Sequence, residues 1–205
     1  MLHHKSAPAP NASVLAPGAP SAIVLAAGRS QRFGRDKRLE LIGATPMFLL
    51  TALKVKAVIA DTLVVLGPND TIHQQFLRDR GLGYAVCPDA GLGMGHSLAY
   101  GVAQRPEASG WFIMPADMPF IREETLLALA RVSCAHTLAA PVCRGRRGHP
   151  VWFGRHYYPS LCALAGDQGA RALLKDASVT LHQVPVDDTG CLLDIDTPQD
   201  LPDIK

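Results

Sequence analysis

The sequence predicts an α/β fold built on a mostly parallel sheet. Short apolar runs alternate with helix-length amphipathic segments, the pattern of successive βαβ units. The conspicuous polar motifs directly follow apolar runs, which is where open parallel sheets bind their ligands. At 205 residues the chain is long enough for one domain with a sizeable core.

In chain order, residues 1–20 are rich in Ala and Pro but lack the apolar core of a signal peptide, so they are expected to form a disordered tail before a single domain over 21–205. The first strand is expected at 21–25 (Ser-Ala-Ile-Val-Leu), followed by a small, basic, Gly-containing loop. A helix at about 46–58 begins after Thr45-Pro46, since Pro is tolerated at the first helical position. Strands at 62–66, 83–87, 111–114 and 137–140 alternate with helices at about 69–79, 95–104 and 122–131. Glu123 and Glu124 place acid in the first turn of the last of these, where the helix dipole favours it. From 141 to 153 a strand, a basic turn and a returning strand read as a hairpin insertion.

Charge and composition exclude several classes. Lys and Arg number 20 against 18 Asp and Glu, too even a balance for a broad basic face, so no nucleic-acid partner is expected. No apolar run approaches the ~20 residues of a membrane span. The five cysteines, Cys87, Cys134, Cys143, Cys162 and Cys191, are scattered and contain no Cys-x-x-Cys pair. They predict idle thiols in a reducing cytoplasm rather than a disulfide framework or a zinc site.

The loop after the first strand has the chemistry of a triphosphate site, because backbone N–H groups and cationic side chains meet at a strand end. It is neither of the two common phosphate loops. Gly28 and Gly34 stand six apart and Lys37 is not followed by Ser or Thr, which excludes a Walker loop, and the glycines are too dispersed for a dinucleotide fingerprint. Asp117 emerges where the apolar run Trp111–Met114 stops. It reads either as a helix cap or, given its place after a central strand, as a carboxylate for Mg²⁺, which favours one or two carboxylates plus substrate phosphates. Alternation would put Asp194 and Asp196 on one face of a short strand. Gly91, Gly93 and Gly95 precede His96 and Ser97 and would allow close backbone approach to a flat ligand such as a base. The tracts Gly145–Val151 and Gly166–Arg171 read either as solvated turns or as a grip on an anionic second substrate.

These motifs together resemble the molybdenum cofactor cytidylyltransferase branch of the MobA-like nucleotidyltransferase family, from residue 21 to about 202. The resemblance is carried by Leu25-Ala26-Ala27-Gly28 with Arg29, Gly34 and Asp36-Lys37, by Gly93–Leu98, and by Pro115-Ala116-Asp117-Met118-Pro119. Arg147-Gly148-His149-Pro150-Val151, Gly166–Arg171 and Asp194-Ile195-Asp196-Thr197-Pro198 complete it. It implies a Rossmann-like, three-layer α/β/α nucleotidyltransferase fold with a small β-hairpin insertion. It implies that Leu25, Ala26, Ala27, Gly28, Arg29 and Lys37 bind the nucleotide, with Gly28, Arg29 and Lys37 on the triphosphate, that Arg29, Lys37 and Asp117 are catalytic, and that Gly93 and Ser97 read base and ribose. Asp117 and Asp196, the latter ahead of Asp194, would hold Mg²⁺, with Mn²⁺ as the alternative. Arg147, Gly148, His149 and Pro150 would lie near the pterin acceptor.

The implied reaction transfers CMP from CTP to the terminal phosphate of molybdenum-loaded molybdopterin and releases pyrophosphate. Ala27 points to CTP, because guanylyl-transferring relatives usually carry Gly there. The alternatives are GMP transfer to the same pterin, CMP transfer to another phosphorylated acceptor, and a non-catalytic carrier of the finished cofactor. The expected partners are small-molecule substrates, with transient contact to a molybdoenzyme or its maturation chaperone.

Overall fold

The computed structural model describes residues 18–28, 33–133, 138–167, 169–175 and 180–201. In chain order the elements are β1 (Ser21–Leu25), β2 (Leu41–Ile42), β3 (Thr45–Pro46), α1 (Met47–Val58), β4 (Asp61–Leu66), α2 (Thr71–Asp79), β5 (Gly83–Val86), α3 (Met94–Ala103), β6 (Gly110–Pro115) and α4 (Glu123–Val132). There follow β7 (Leu138–Cys143), β8 (Arg146–Arg147), β9 (Val151–Gly154), α5 (Tyr158–Cys162), α6 (Arg171–Lys175) and β10 (Leu181–Pro185).

The main sheet runs β10-β7-β9-β6-β1-β4-β5, with β8 on the side of β7. Its pairings are parallel except those of β9, antiparallel to both β6 and β7, and of β8 with β7. The central strands are apolar on both faces because both are covered. Ala22 and Val24 of β1 join Val64 and Leu66 of β4 in a core with Phe48 and Leu49 of α1, Leu77 of α2 and Leu126 of α4. Ile23, Leu63 and Val65 face the other way, onto Leu98 and Val102 of α3 and Leu161 of α5. Helices on both faces give the three layers. No helix among the described residues is long and apolar enough to cross a membrane.

Several expectations need correction. The tail does not extend to residue 20: the Gly18 N–H donates to the Glu107 carbonyl at 3.3 Å and the Ala19 carbonyl accepts from the Ser109 N–H at 3.1 Å, while residues 1–17 lie outside the described ones. Pro46 belongs to β3 and caps α1 from outside. The returning strand is no appendage. After a tight turn with Arg144 (φ 52°) and Gly145 (φ 72°), both left-handed as a type I′ hairpin requires, β8 pairs briefly with β7 and β9 then enters the main sheet between β7 and β6. Residues 194–196 form no strand. The edge strand β10 was not expected, because Val184 is its one buried residue and its pattern is mostly polar.

Candidate active site

The loops that leave β1, β4, β5 and β6 at their carboxyl ends meet around one cavity of about 680 Å³. Two backbone bonds hold these loops in step beyond the strands: Ala26 N–H to the Val65 carbonyl at 2.9 Å, and Ala116 N–H to the Leu25 carbonyl at 3.1 Å. The lining comprises Leu25–Gly28, Phe33, Lys37 and Arg38 from the first loop and Gly67–Asp70 from the second. Pro88, Ala90, Gly91, Gly93, Met94 and Ser97 come from the third, Pro115–Asp117 from the fourth, and Asp167 and Asp196 from later in the chain. Arg29 lies outside the described residues.

Asp36 starts a 3₁₀ turn, Lys37–Leu39, by accepting from the Arg38 N–H at 3.1 Å. The turn aims Lys37 across the cavity mouth, where its Nζ stands 2.8 Å from Asp117 Oδ2 and 2.8 Å from Asp196 Oδ1. Burial works against the ammonium charge, but the two carboxylates outweigh it and hold the Lys37 pKa above the ordinary lysine value.

Asp196 reaches this point by backbone stitching. The Ile195 N–H donates to the Asp117 carbonyl at 3.0 Å, and the Ile195 side chain is buried with Phe33 and Met47. With Ile195 turned inward, Asp196 lines the cavity and Asp194 does not. Asp200 Oδ2 then fixes the chain by accepting from the N–H groups of Asp196 at 3.1 Å and Thr197 at 2.7 Å. Asp117 Oδ1 is buried and has no hydrogen-bond partner among the described residues. A converging pair of hard carboxylate oxygens with one buried oxygen unmatched fits a divalent cation of the Mg²⁺ or Mn²⁺ kind.

A second acidic cluster lies behind the first. Donor atoms of Asp36, Asp70 and His73 fall within 4.8 Å of one another, but the Arg38 guanidinium already fills the space between the carboxylates. It donates to Asp36 Oδ1 (2.8 Å) and Oδ2 (2.6 Å), and to Asp70 Oδ1 (2.8 Å) and Oδ2 (2.7 Å). Asp70 Oδ2 also accepts from the Gly67 N–H at 2.7 Å. The cluster ties the loop after β1 to the loop after β4. Burial and the Arg38 charge lower the His73 pKa, against the pull of Asp36 and Asp70.

The glycine loop is backed by the segment after α5. The Gly166 carbonyl accepts from the Gly95 N–H at 2.7 Å, and the Gly166 N–H donates to His96 Nδ1 at 3.2 Å. Gly93 (φ 124°) has backbone that L side chains rarely adopt, and a Cβ there would overlap the Gly166 carbonyl and stand 2.6 Å from Asp167 Oδ1. Ser97, at the start of α3, is nearly buried and lines the cavity beside this contact.

The hairpin residues are not brought to the cavity lining. Arg147 is exposed on β8 and Pro150 is buried. Gly148 is packed so tightly on Cys191 that a Cβ would overlap the Cys191 carbonyl, and its N–H donates to the Pro141 carbonyl at 2.8 Å. His149 sits behind Asp117, its Nδ1 buried and unpartnered among the described residues. Burial lowers its pKa against the opposing charges of Asp117 and Asp194. Gly148 and Pro150 are thus packed within the hairpin.

Sequence reasoning passed over Arg38 and Asp70, and reached Asp167 only within the tract Gly166–Arg171. Asp70 follows Leu66-Gly67-Pro68-Asn69 at the end of β4, so the strand-end rule that picked out Asp117 also applies to it.

The model of the MobA-like NTP transferase domain matches residues 22–184, which takes in the sheet and the four loops around the cavity. The chain belongs to the MobA-like NTP transferase family. It is 33% identical over 194 residues to the purine catabolism protein PucB of Bacillus subtilis, covering 87% of this chain and 92% of that one. It is 30% identical over 132 residues to a probable molybdenum cofactor guanylyltransferase of Geobacillus sp. strain WCH70, covering 56% and 62% of the two chains. The crystal structure of Rv0371c from Mycobacterium tuberculosis superposes with a TM-score of 0.79 at 27% identity, over 89% of this chain and 95% of that one. The same protein in complex with manganese gives 0.75 at 26% identity, with the same coverage. The MobA-like protein is thus a nucleotidyltransferase by family, with a mixed, mostly parallel sheet of the nucleotidyltransferase kind.

Proposed function

We propose that this MobA-like protein transfers CMP from CTP to the terminal phosphate of molybdenum-loaded molybdopterin, forming the cytosine dinucleotide cofactor and pyrophosphate. The observation that supports it most is the meeting of Lys37, Asp117 and Asp196 at the mouth of a cavity floored by Leu25-Ala26-Ala27-Gly28. In this reading the Gly28 backbone, Arg29 and Lys37 hold the triphosphate, and Gly93 and Ser97 hold base and ribose. Asp117 and Asp196 hold Mg²⁺ or Mn²⁺, which when bound neutralises charge on the phosphates. The manganese complex of Rv0371c supports that ion. Arg147, exposed on the hairpin, and His149 behind Asp117 orient the acceptor side.

An ionised phosphate oxygen of the pterin attacks the α-phosphorus of CTP, and the bond to the bridging oxygen breaks as pyrophosphate leaves with the electron pair. The attacking phosphate is already an anion, so the protein's work is positioning and charge neutralisation rather than general-base catalysis. One cation 4 Å from a phosphate oxygen supplies about 4 kcal/mol at an effective dielectric near 20, against the ~8–23 kcal/mol by which enzymes lower barriers. Lys37 alone is insufficient, so the divalent ion that Asp117 and Asp196 would hold is needed with it.

The guanylyltransferase name of the Geobacillus relative favours a second reading, GMP transfer to the same pterin; Ala27 favours CTP. The test is pyrophosphate release by the full chain with Mg²⁺, molybdenum-loaded molybdopterin and either CTP or GTP. Release with CTP, lost by most of its rate in Asp117→Ala and Lys37→Ala, is the expected result. Release with GTP alone overturns the base assignment, and release with neither favours the carrier.

A further inference from the structure

Resting on the reading of Asp117 and Asp196 as the ion-binding pair, we infer that Lys37 competes with the divalent ion for that pair, holding it closed until a triphosphate draws the ammonium away, so that metal enters with the nucleotide and not before it.

A single nitrogen, Lys37 Nζ, stands 2.8 Å from each of two carboxylates that come from distant parts of the chain. Divalent ions of this class sit at ~2.0–2.6 Å from their oxygen ligands, closer than the ammonium does. An ion on the same two oxygens would need the place the ammonium now takes, and two positive charges do not share it. The exchange is therefore one for the other.

The neighbouring residue holds the backbone of the turn in place. Arg38, the next residue of the same turn, is anchored by Asp36 and Asp70 and by the Ala26 carbonyl at 2.5 Å. Lys37 carries its charge on a flexible four-carbon stem, with Ala26, Ala27 and Gly28 across the same cavity. Charge favours the coupling in both directions. Two carboxylates with one ammonium keep a net negative charge, a divalent ion cancels it, and the displaced ammonium meets the phosphates that bring the ion in.

The test is Mn²⁺ binding, followed by electron paramagnetic resonance, and CTP binding, followed by equilibrium dialysis in EDTA, on the full chain and on Lys37→Met. Methionine keeps an unbranched stem and removes the charge. The expected result is opposite movement: nucleotide-free Mn²⁺ affinity at least ~10-fold tighter in Lys37→Met, and metal-free CTP affinity at least ~10-fold weaker. A merely structural lysine would weaken both. Lys37→Gln gives the same pair of readings should Lys37→Met not fold. Mn²⁺ affinity unchanged or weaker in the neutral variant, in a protein whose Mn²⁺ binding is lost in Asp117→Asn, overturns the exchange and leaves the ion-binding pair standing. Mn²⁺ binding unaffected by Asp117→Asn removes the pair, and the exchange with it.

Discussion

Lys37 and Arg38 are neighbours in one 3₁₀ turn, each a cation between two carboxylates, yet the two clusters are built for different ends. Arg38 is 11% exposed and Asp70 13%, and the guanidinium spends its donors on four carboxylate contacts and a backbone carbonyl. Lys37 Nζ stands 2.8 Å from an oxygen of each carboxylate, and Asp196 is 42% exposed, while one buried oxygen of Asp117 is unmatched among the described residues. The first cluster has every charge answered by a rigid fork and joins two loops. The second lies at the cavity mouth, where the proposed reading has a phosphate and an ion replace the contact. The difference separates a fastener from a site when residue types alone do not.

The largest effect should come from breaking the fastener. Arg38→Met leaves Asp36 and Asp70 facing each other with little solvent, and removing one partner of a buried pair costs about 3 kcal/mol at the lower end of the usual range, since Asp36 is nearly a third exposed. In a chain of this size the melting temperature should fall by ~6–12 °C. Lys37→Met should cost no more than ~1 kcal/mol, because water screens Asp196. Urea melts of both variants decide it, and equal losses would erase the distinction between the two clusters.

Catalysis should show the reverse order. Asp117→Asn keeps the shape of the side chain and loses its charge, so nucleotidyl transfer should fall at least ~100-fold, the scale for losing one electrostatic partner of a transition state. Its melting temperature should move by less than ~3 °C. Asp70→Asn should destabilise the fold and leave the transfer rate per folded molecule within ~10-fold of the parent. Rates normalised to the folded fraction test both, and a collapse of transfer in folded Asp70→Asn would make Asp70 part of the site.

Much of this geometry was legible in the sequence, for physical reasons that also set the limit. β1, β4 and β6 are continuous apolar runs because both faces are covered, and each ends abruptly in polar residues, so the loops Gly28–Lys37 and Ala116–Pro119 could be placed at strand ends. What links Asp117 to Asp196 is long-range: a backbone bond from Ile195 and the burial of its side chain, neither of which alternation reports. That β9 returns beside β7 is legible in its sequence, but its run, Val151-Trp152-Phe153, is too short to show that it is buried on both faces between β6 and β7. Asp167 comes to the cavity through the packing of Gly93 and Gly95 on Gly166, a contact between loops that no local pattern records.

The smallest expected effect lies in the pH dependence of the fastener. His73 is 3% exposed, its ring edge-on to Phe48 at 4.9 Å, and its Nε2 stands 3.2 Å from Asp36 Oδ2 without the geometry of a hydrogen bond. Burial, reinforced by the Arg38 charge, lowers its pKa, although Asp36 and Asp70 pull the other way. The unfolded chain takes up a proton near the ordinary histidine value of ~6.5 and the folded chain only at lower pH. Below ~6.5 the unfolded state therefore binds more protons, and stability falls as pH drops through the window down to the folded pKa, by at most about 1.4 kcal/mol per pH unit. His149 is shifted in the same direction, so the contribution of His73 is the difference between the parent and His73→Phe, which keeps an aromatic ring against Phe48 and cannot charge. That difference should be constant above pH 7 and should move in favour of the variant as the pH is lowered toward 5. Asp36, whose carboxyl is held low by Arg38 despite burial, loses its contribution only as pH falls below the ordinary carboxylate range, in a separate window. A difference that stays flat from pH 7 to 5 would mean that His73 takes up its proton within the folded cluster.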